Sequence, residues 1–130
     1  MSADDFRFVV QRHQSGMPHF DFRLEHNGVF RSWAVPKGMP DNAGVRRLAI
    51  ATPDHDLKSG SFEGLIAAGE PGAELITIWD RGTYQSLRRE EDHLEFTLSG
   101  TQFSGRYHMV RFHRAGERAW LIYKADKPPQ

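Results

Sequence analysis

His19-Phe20-Asp21-Phe22-Arg23-Leu24-Glu25, followed at once by His26-Asn27-Gly28, decides how the rest of the chain is read. Phe20, Phe22 and Leu24 alternate strictly with His19, Asp21, Arg23 and Glu25, the two-residue period of a half-buried β-strand. The Asn-Gly pair behind it is the strongest short-range hairpin signal, so Val29–Val35 is expected to return as the paired strand. The polar face sets an imidazole, a carboxylate and a guanidinium in one row, at i, i+2 and i+4. That is a metal-ligand set followed by a phosphate-binding group.

Reading outward, Phe6, Phe8 and Val10 alternate in a first strand ending near His13, and 14–18 is a loop carrying Gly16 and Pro18. Downstream, 36–44 is turn-rich and 47–51 reads as a fourth strand, with Thr52-Pro53-Asp54-His55 as the loop after it. The stretch 58–61 is again loop-like, 62–66 a short strand and 67–73 Gly-rich and irregular. An apolar strand at 75–79 is expected to close on an Asp80-Arg81-Gly82 turn, with 83–87 a further strand. The charge run 88–92 reads as a solvated turn, and 94–98, 106–112 and 120–124 as strands. Strands thus recur about every ten residues, with room for at most a short helix within 56–72. The expectation is an all-β antiparallel barrel or sandwich. Its core should hold Trp33, Trp79, Trp120, Phe96 and Phe112. His93 and His113, beside turns, should face solvent, while His108 could face either side.

The 130 residues suit one domain, with a strand core over about 6–124 and tails at 1–5 and 125–130. Lys plus Arg and Asp plus Glu are 17 each. A nucleic-acid role must therefore rest on a local patch, because the global basic footprint is missing. With no cysteine, thiolate sites and disulfides are excluded, and a metal must be held by His, Asp or Glu. No apolar run approaches a membrane span, so no membrane partner and a cytoplasmic location are expected. No P-loop, GxSxG or GxGxxG before a helix is present, which argues against NTPase, serine hydrolase and dinucleotide chemistry.

Two constellations carry the functional reading. His13 can fold back across the 14–18 loop to join His19 and Asp21, making a facial N/O set suited to Mn²⁺, Fe²⁺ or Zn²⁺. A bare His-x-Asp on a strand is more often an exposed pair, and the third histidine and Arg23 distinguish this one. Arg23, Lys37, Arg47 and His55 form the second set, candidates to clamp a phosphate or, for His55, to protonate a leaving group. From spacing alone each is more commonly a surface side chain.

The ordered blocks Phe8-Val9-Val10-Gln11-Arg12-His13, His19-Phe20-Asp21-Phe22-Arg23-Leu24-Glu25, Ser32-Trp33-Ala34-Val35-Pro36-Lys37-Gly38, Asp54-His55, Phe62-Glu63-Gly64 and Trp79-Asp80-Arg81-Gly82-Thr83 resemble the 3′-phosphoesterase domain of bacterial DNA ligase D. The resemblance runs from about Phe6 to Lys124. It implies a compact β-barrel with the site in a groove on its outer surface, and a Mn²⁺-dependent enzyme that trims DNA 3′ ends in non-homologous end joining. The implied substrates are primer-templates bearing a 3′-ribonucleotide or 3′-phosphate, and a separate end-joining ligase or polymerase is a conceivable partner. The implied metal ligands fall on His13, His19 and Asp21, and the implied phosphate contacts on Arg23, Lys37, Arg47 and His55, with Arg23 and His55 as the catalytic pair. Two departures stand out: Ser59 occupies a position where the family commonly has tyrosine, and only 1–5 precede the first strand. Both bear on ribonucleoside removal more than on phosphate removal. They also motivate a rival reading, a non-catalytic module that binds nucleic-acid ends. A facial-triad iron oxygenase fits less well, because His13 lies upstream of His-x-Asp and those enzymes usually place the third ligand far downstream.

Overall fold

Eight antiparallel strands pair edge to edge until the last meets the first. The computed structural model describes residues 6–14, 16–66 and 74–125. Its strands are β1 (Phe6–Gln14), β2 (His19–His26), β3 (Val29–Val35), β4 (Arg46–His55), β5 (Gly64–Ile66), β6 (Glu74–Arg89), β7 (His93–Gly100), β8 (Ser104–Arg111) and β9 (Ala119–Lys124). The order β1-β2-β3-β4-β9-β8-β7-β6 closes through a β1–β6 pairing, and β5 adds to β6 outside the ring. Closure leaves no long open edge in the barrel. Asn27 (φ 53°) and Gly28 (φ 81°) both take positive φ, as a two-residue turn matched to strand twist requires.

The alternation in the sequence sorts side chains to the two sides of the wall. Inward go Phe8, Val10, Phe22, Trp33, Phe96, Tyr107, Met109, Trp120 and Ile122, all buried. Each such side chain contributes roughly 1.5–3 kcal/mol of burial. Outward on β1–β3 go His13, Gln11, Asp21, Arg23 and Ser32, aligned by the registers His13↔His19, Gln11↔Asp21 and Arg23↔Ser32.

Several expectations need correction. Residues 74–89 form one 16-residue strand with no turn at Asp80-Arg81-Gly82. Asp80 instead accepts the backbone N–H groups of Thr101, Gln102 and Phe103 at 3.0, 2.9 and 2.8 Å, pinning the β7–β8 connection. Gly82 lets β6 run tight against β7, since a Cβ there would fall 2.1 Å from the Ser99 carbonyl oxygen. His55 ends strand β4 rather than sitting in a loop. Pro53, which lacks an N–H, lies where the β3–β4 register shifts between Phe30 and Ser32, the kind of irregularity that tolerates proline. Residues 57–61 form a 3₁₀ turn, capped by the Asp56 carboxylate on Ser59 N–H. Arg88 and Arg89 still belong to β6, so only 90–92 of the charge run turns. Trp79 is 39% exposed, packing edge-on against Phe20 at the barrel mouth instead of entering the core, and Phe112 is only half-buried. His93 is half-buried rather than solvent-facing, and His108 lies on the outer wall. The Gly-rich 67–73 segment and the tails at 1–5 and 126–130 lie outside the described residues.

Candidate active site

Strand pairing places the ligand-type side chains. The His13↔His19 register stacks the two imidazoles with centroids 4.6 Å apart and planes at 25°. Asp21 lies two residues along the same face. Its Oδ2 is 2.6 Å from His13 Nε2 and its Oδ1 is 3.4 Å from His19 Nε2. One donor atom from each of His13, His19 and Asp21 falls within 4.8 Å of the others, as a shared ion requires. His19 Nδ1 lies 3.1 Å from the Met17 carbonyl. A carbonyl only accepts, so Nδ1 carries the proton and the Nε2 lone pair faces the carboxylate. The donor set therefore fits a hard or borderline divalent cation.

Behind these donors lies a buried polar chain. Arg23, 6% exposed, donates from Nε to Gln11 Oε1 at 2.7 Å, from one terminal nitrogen to Ser32 Oγ at 2.9 Å and from the other to Asp21 Oδ2 at 3.3 Å. A guanidinium has five N–H donors, so two stay available to a ligand. Gln11 uses its amide N–H groups on the carbonyls of Ser59 and Phe62 at 2.9 and 3.0 Å. It thereby ties the 3₁₀ turn to Arg23. His55 Nδ1 comes to 3.3 Å from the same Ser32 hydroxyl. His13, Arg23, His55, Gln11, Phe62 and Ile76 line a groove of about 480 Å³, a size ordinary for a ligand site.

Electrostatics follow from this packing. Burial alone would raise the Asp21 carboxyl, but His13, Arg23 and His19 outweigh it and hold it below the usual carboxylate range. Burial lowers the Arg23 guanidinium, with Asp21 opposing. Burial also lowers His55, and the Arg23 charge adds to that, so its imidazole is neutral near pH 7.

The structure brings together His13, His19, Asp21, Arg23 and His55. Lys37 is exposed in the turn after β3, where the Phe20↔Val35 register puts it at the rim beside His19. Arg47 shares its strand phase with the core residue Ala49, so it points to the inner side of the wall at that same mouth. Among the described residues, no hydrogen bond or ion pair seen at the cluster involves either of them. Sequence reading missed Gln11 and Ser32, although the i−2 spacing of Gln11 from His13 put it on the same face. Ser59 lines the groove but gives its hydroxyl proton to the Asp56 carbonyl at 2.7 Å.

The family described as the DNA ligase D 3′-phosphoesterase domain matches residues 11–111. The chain is 44% identical over 128 residues to a multifunctional non-homologous end joining DNA repair protein LigD of Mycobacterium tuberculosis, covering 95% of this chain and 16% of that protein. It is 42% identical over 125 residues to the LigD of Pseudomonas aeruginosa, covering 92% of this chain and 15% of that protein. The chain thus spans about 16% of the length of the curated relatives it matches.

Proposed function

The chain belongs to the DNA ligase D 3′-phosphoesterase domain family, and from that premise we propose that it hydrolyses phosphate esters at DNA 3′ ends during non-homologous end joining, with Mn²⁺ as its preferred metal. The observation carrying this reading is the convergence of His13, His19 and Asp21 on one point beside a buried Arg23 with unspent donors. Residues 1–130 act as one phosphoesterase unit, with 3′-phosphate removal favoured over ribonucleoside removal because Ser59 offers the groove no tyrosine hydroxyl.

A divalent ion held by His13, His19 and Asp21 would supply Lewis-acid polarisation of the phosphoryl group. The chain's own residues do the rest. Arg23, fixed on three sides, aims its two remaining N–H donors at the phosphoryl oxygens, where they offset developing charge without reorganising. The Ser32 hydroxyl gives its proton to the Phe30 carbonyl at 3.3 Å, so His55 Nδ1 donates to Ser32 Oγ, and the ring takes up a second proton at Nε2 before passing it to the phosphoryl or leaving oxygen. Lys37 and Arg47, at the mouth, are placed to guide the approaching backbone rather than to touch the reacting atoms. The Asp21 carboxylate meets His13 at 2.6 Å and Arg23 at 3.3 Å, so one residue sets the spacing between ligand set and phosphate clamp.

The test is a primer-template ending in a 3′-phosphate or a single 3′-ribonucleotide, incubated with Mn²⁺, other divalent ions or EDTA. Metal-dependent phosphate removal is expected. Folded protein that binds these ends without turning them over would replace this reading with the end-binding module.

A further inference from the structure

The mouth of the barrel at the His55 end carries charge that the groove chemistry does not use. β3 begins there, β6 and β8 end there, and they contribute Arg31, Arg89 and Arg111. The Arg31 guanidinium lies over Trp33, 5.0 Å from the ring centroid, and that of Arg111 over Trp120 at 5.4 Å. The two indoles meet edge to face at 6.1 Å, so both cations rest on one aromatic floor. Arg89 reaches in from β6 and donates to the Tyr84 hydroxyl at 3.3 Å. Among the described residues, none of the three forms an ion pair with a carboxylate. Arg111 Nε is buried without a hydrogen-bond partner among them. Burial lowers the Arg31 guanidinium, and the like charges of Arg89 and Arg111 push the same way against Asp54 and Tyr84. Glu95 lies on the far wall of the cleft, but it is engaged by Arg106 at 3.5 Å.

Like charges gathered in a chain of zero net charge disfavour the folded state until an anion shares them. The cleft lined by Arg31 and Arg89 holds about 20 Å³, room for a water or small ion only, so a larger anion must sit across the mouth. We propose that this arginine-lined mouth grips a backbone phosphate of the nucleic acid whose 3′ end occupies the groove, one remote from the phosphate being hydrolysed. The proposal rests on the function proposed above. His55 pairs with Phe30, the residue before Arg31, so a strand leaving the groove past His55 crosses onto this mouth. Planar guanidiniums match phosphodiester oxygens in geometry and charge.

The experiment measures binding apart from turnover. Fluorescence anisotropy of a labelled primer-template with a 3′-OH is followed in EDTA across a salt series, for wild type, Arg89→Gln and Arg89→Gln/Arg111→Met. Methionine keeps apolar cover over Trp120. The double variant is expected to bind on the order of tenfold more weakly near 0.15 M salt, with a log–log salt slope shallower by about 1, the share of one phosphate. Hydrolysis of a nucleoside 3′-monophosphate, too short to reach the mouth, should be unchanged. Wild-type affinity and slope in a folded double variant overturn the proposal, as does a wild type that fails to bind the duplex. So does inorganic phosphate raising the melting temperature through these arginines while DNA affinity stays the same, which makes the mouth a free-anion site. If Arg111→Met fails to fold, Arg89→Gln alone decides: weaker binding than wild type is expected across the salt series, and wild-type affinity overturns the proposal. Turnover missing from a wild type that binds DNA through these arginines defeats the catalytic reading and leaves this one standing.

Discussion

Two places on the outer wall of this barrel carry two histidines and a carboxylate across neighbouring strands. One is His13, His19 and Asp21 on β1 and β2; the other is His93, His108 and Glu95 on β7 and β8. Their compositions match and their chemistry does not. In the second cluster Arg88 donates to His93 Nδ1 at 3.1 Å, and a guanidinium has nothing to accept with, so Nδ1 is the lone-pair nitrogen. His93 Nε2 then carries the proton and gives it to His108 Nδ1 at 3.0 Å. His108 Nε2 is left as an N–H, 4.0 Å from Glu95. Every imidazole lone pair there is consumed in a relay. In the first cluster the Met17 carbonyl fixes His19 the other way, so its lone pair points inward to where His13 and Asp21 also present donors. The direction of each ring's proton, set by one neighbour outside the cluster, separates a ligand set from a surface network.

The largest expected effect tests that contrast directly. His19→Ala should remove detectable Mn²⁺ binding by calorimetry and lower turnover by at least about 10²-fold, since metal stabilisation of the reaction is worth several kcal/mol. The melting temperature should change little, because His19 is only half-buried. His108→Ala should leave both metal binding and turnover at wild-type levels. Equal losses in the two variants, or none in either, would erase the distinction.

The second test strips the buried support that only the first cluster has. Gln11 is 1% exposed and uses both ends of its amide. Gln11→Met keeps the volume but strands Arg23 Nε and two carbonyls of the 3₁₀ turn. About 3 kcal/mol of stability should be lost in urea unfolding, with turnover down roughly tenfold to a hundredfold, as for loss of a supporting partner. Retained turnover in the folded variant would show that Arg23 is oriented without this chain.

How much of this was legible beforehand differs by level. The alternation, the Asn-Gly turn and the spacing of His13, His19, Asp21 and Arg23 carried the barrel wall and the ligand set, because a strand's two-residue period converts sequence directly into a shared face. Hydrogen bonds across large separations were not legible. Asp80 read as a local turn former, yet its acceptors serve N–H groups more than twenty residues away. Gln11 read as one more polar residue, although it bridges to the backbone of Ser59 and Phe62. Trp79 read as core from its strand phase, which says nothing of its place at the mouth. The second histidine cluster shows the limit most clearly: sequence names the residues, but only geometry says which nitrogen holds the proton.

The cover over the groove offers a smaller effect. The 3₁₀ turn closes on the outward-facing Phe30, and a Cβ on Gly60 would sit 2.4 Å from its ring carbon Cε2. Phe30 is 3% exposed and has little room to yield. Gly60→Ala should cost about 1–3 kcal/mol by overpacking, read as a lower urea midpoint with an unchanged m-value. The β7–β8 cluster has no such lid, so His93→Ala should cost less. A neutral Gly60→Ala would mean the turn moves freely over Phe30.

The smallest effect belongs to pH and to the second cluster. Burial lowers His108 from its ordinary 6.5, and His93, Arg106 and Arg88 reinforce this against Glu95. Its folded pKa therefore lies below its unfolded one. As pH falls through about 6.5 the unfolded chain takes up the proton first, and stability drops until the folded imidazole protonates as well. Below that point the contribution is constant; above 6.5 it is absent. His26 and His55 are lowered too and contribute in the same direction, so the informative quantity is the difference between wild type and His108→Gln. Urea unfolding between about pH 8 and pH 5 should show a shallower acid loss in the variant, with the two curves parallel at alkaline pH. Superimposable profiles would mean that the folded imidazole accepts its proton as readily as the unfolded one, and that the relay from Arg88 to Glu95 does not hold His108 neutral.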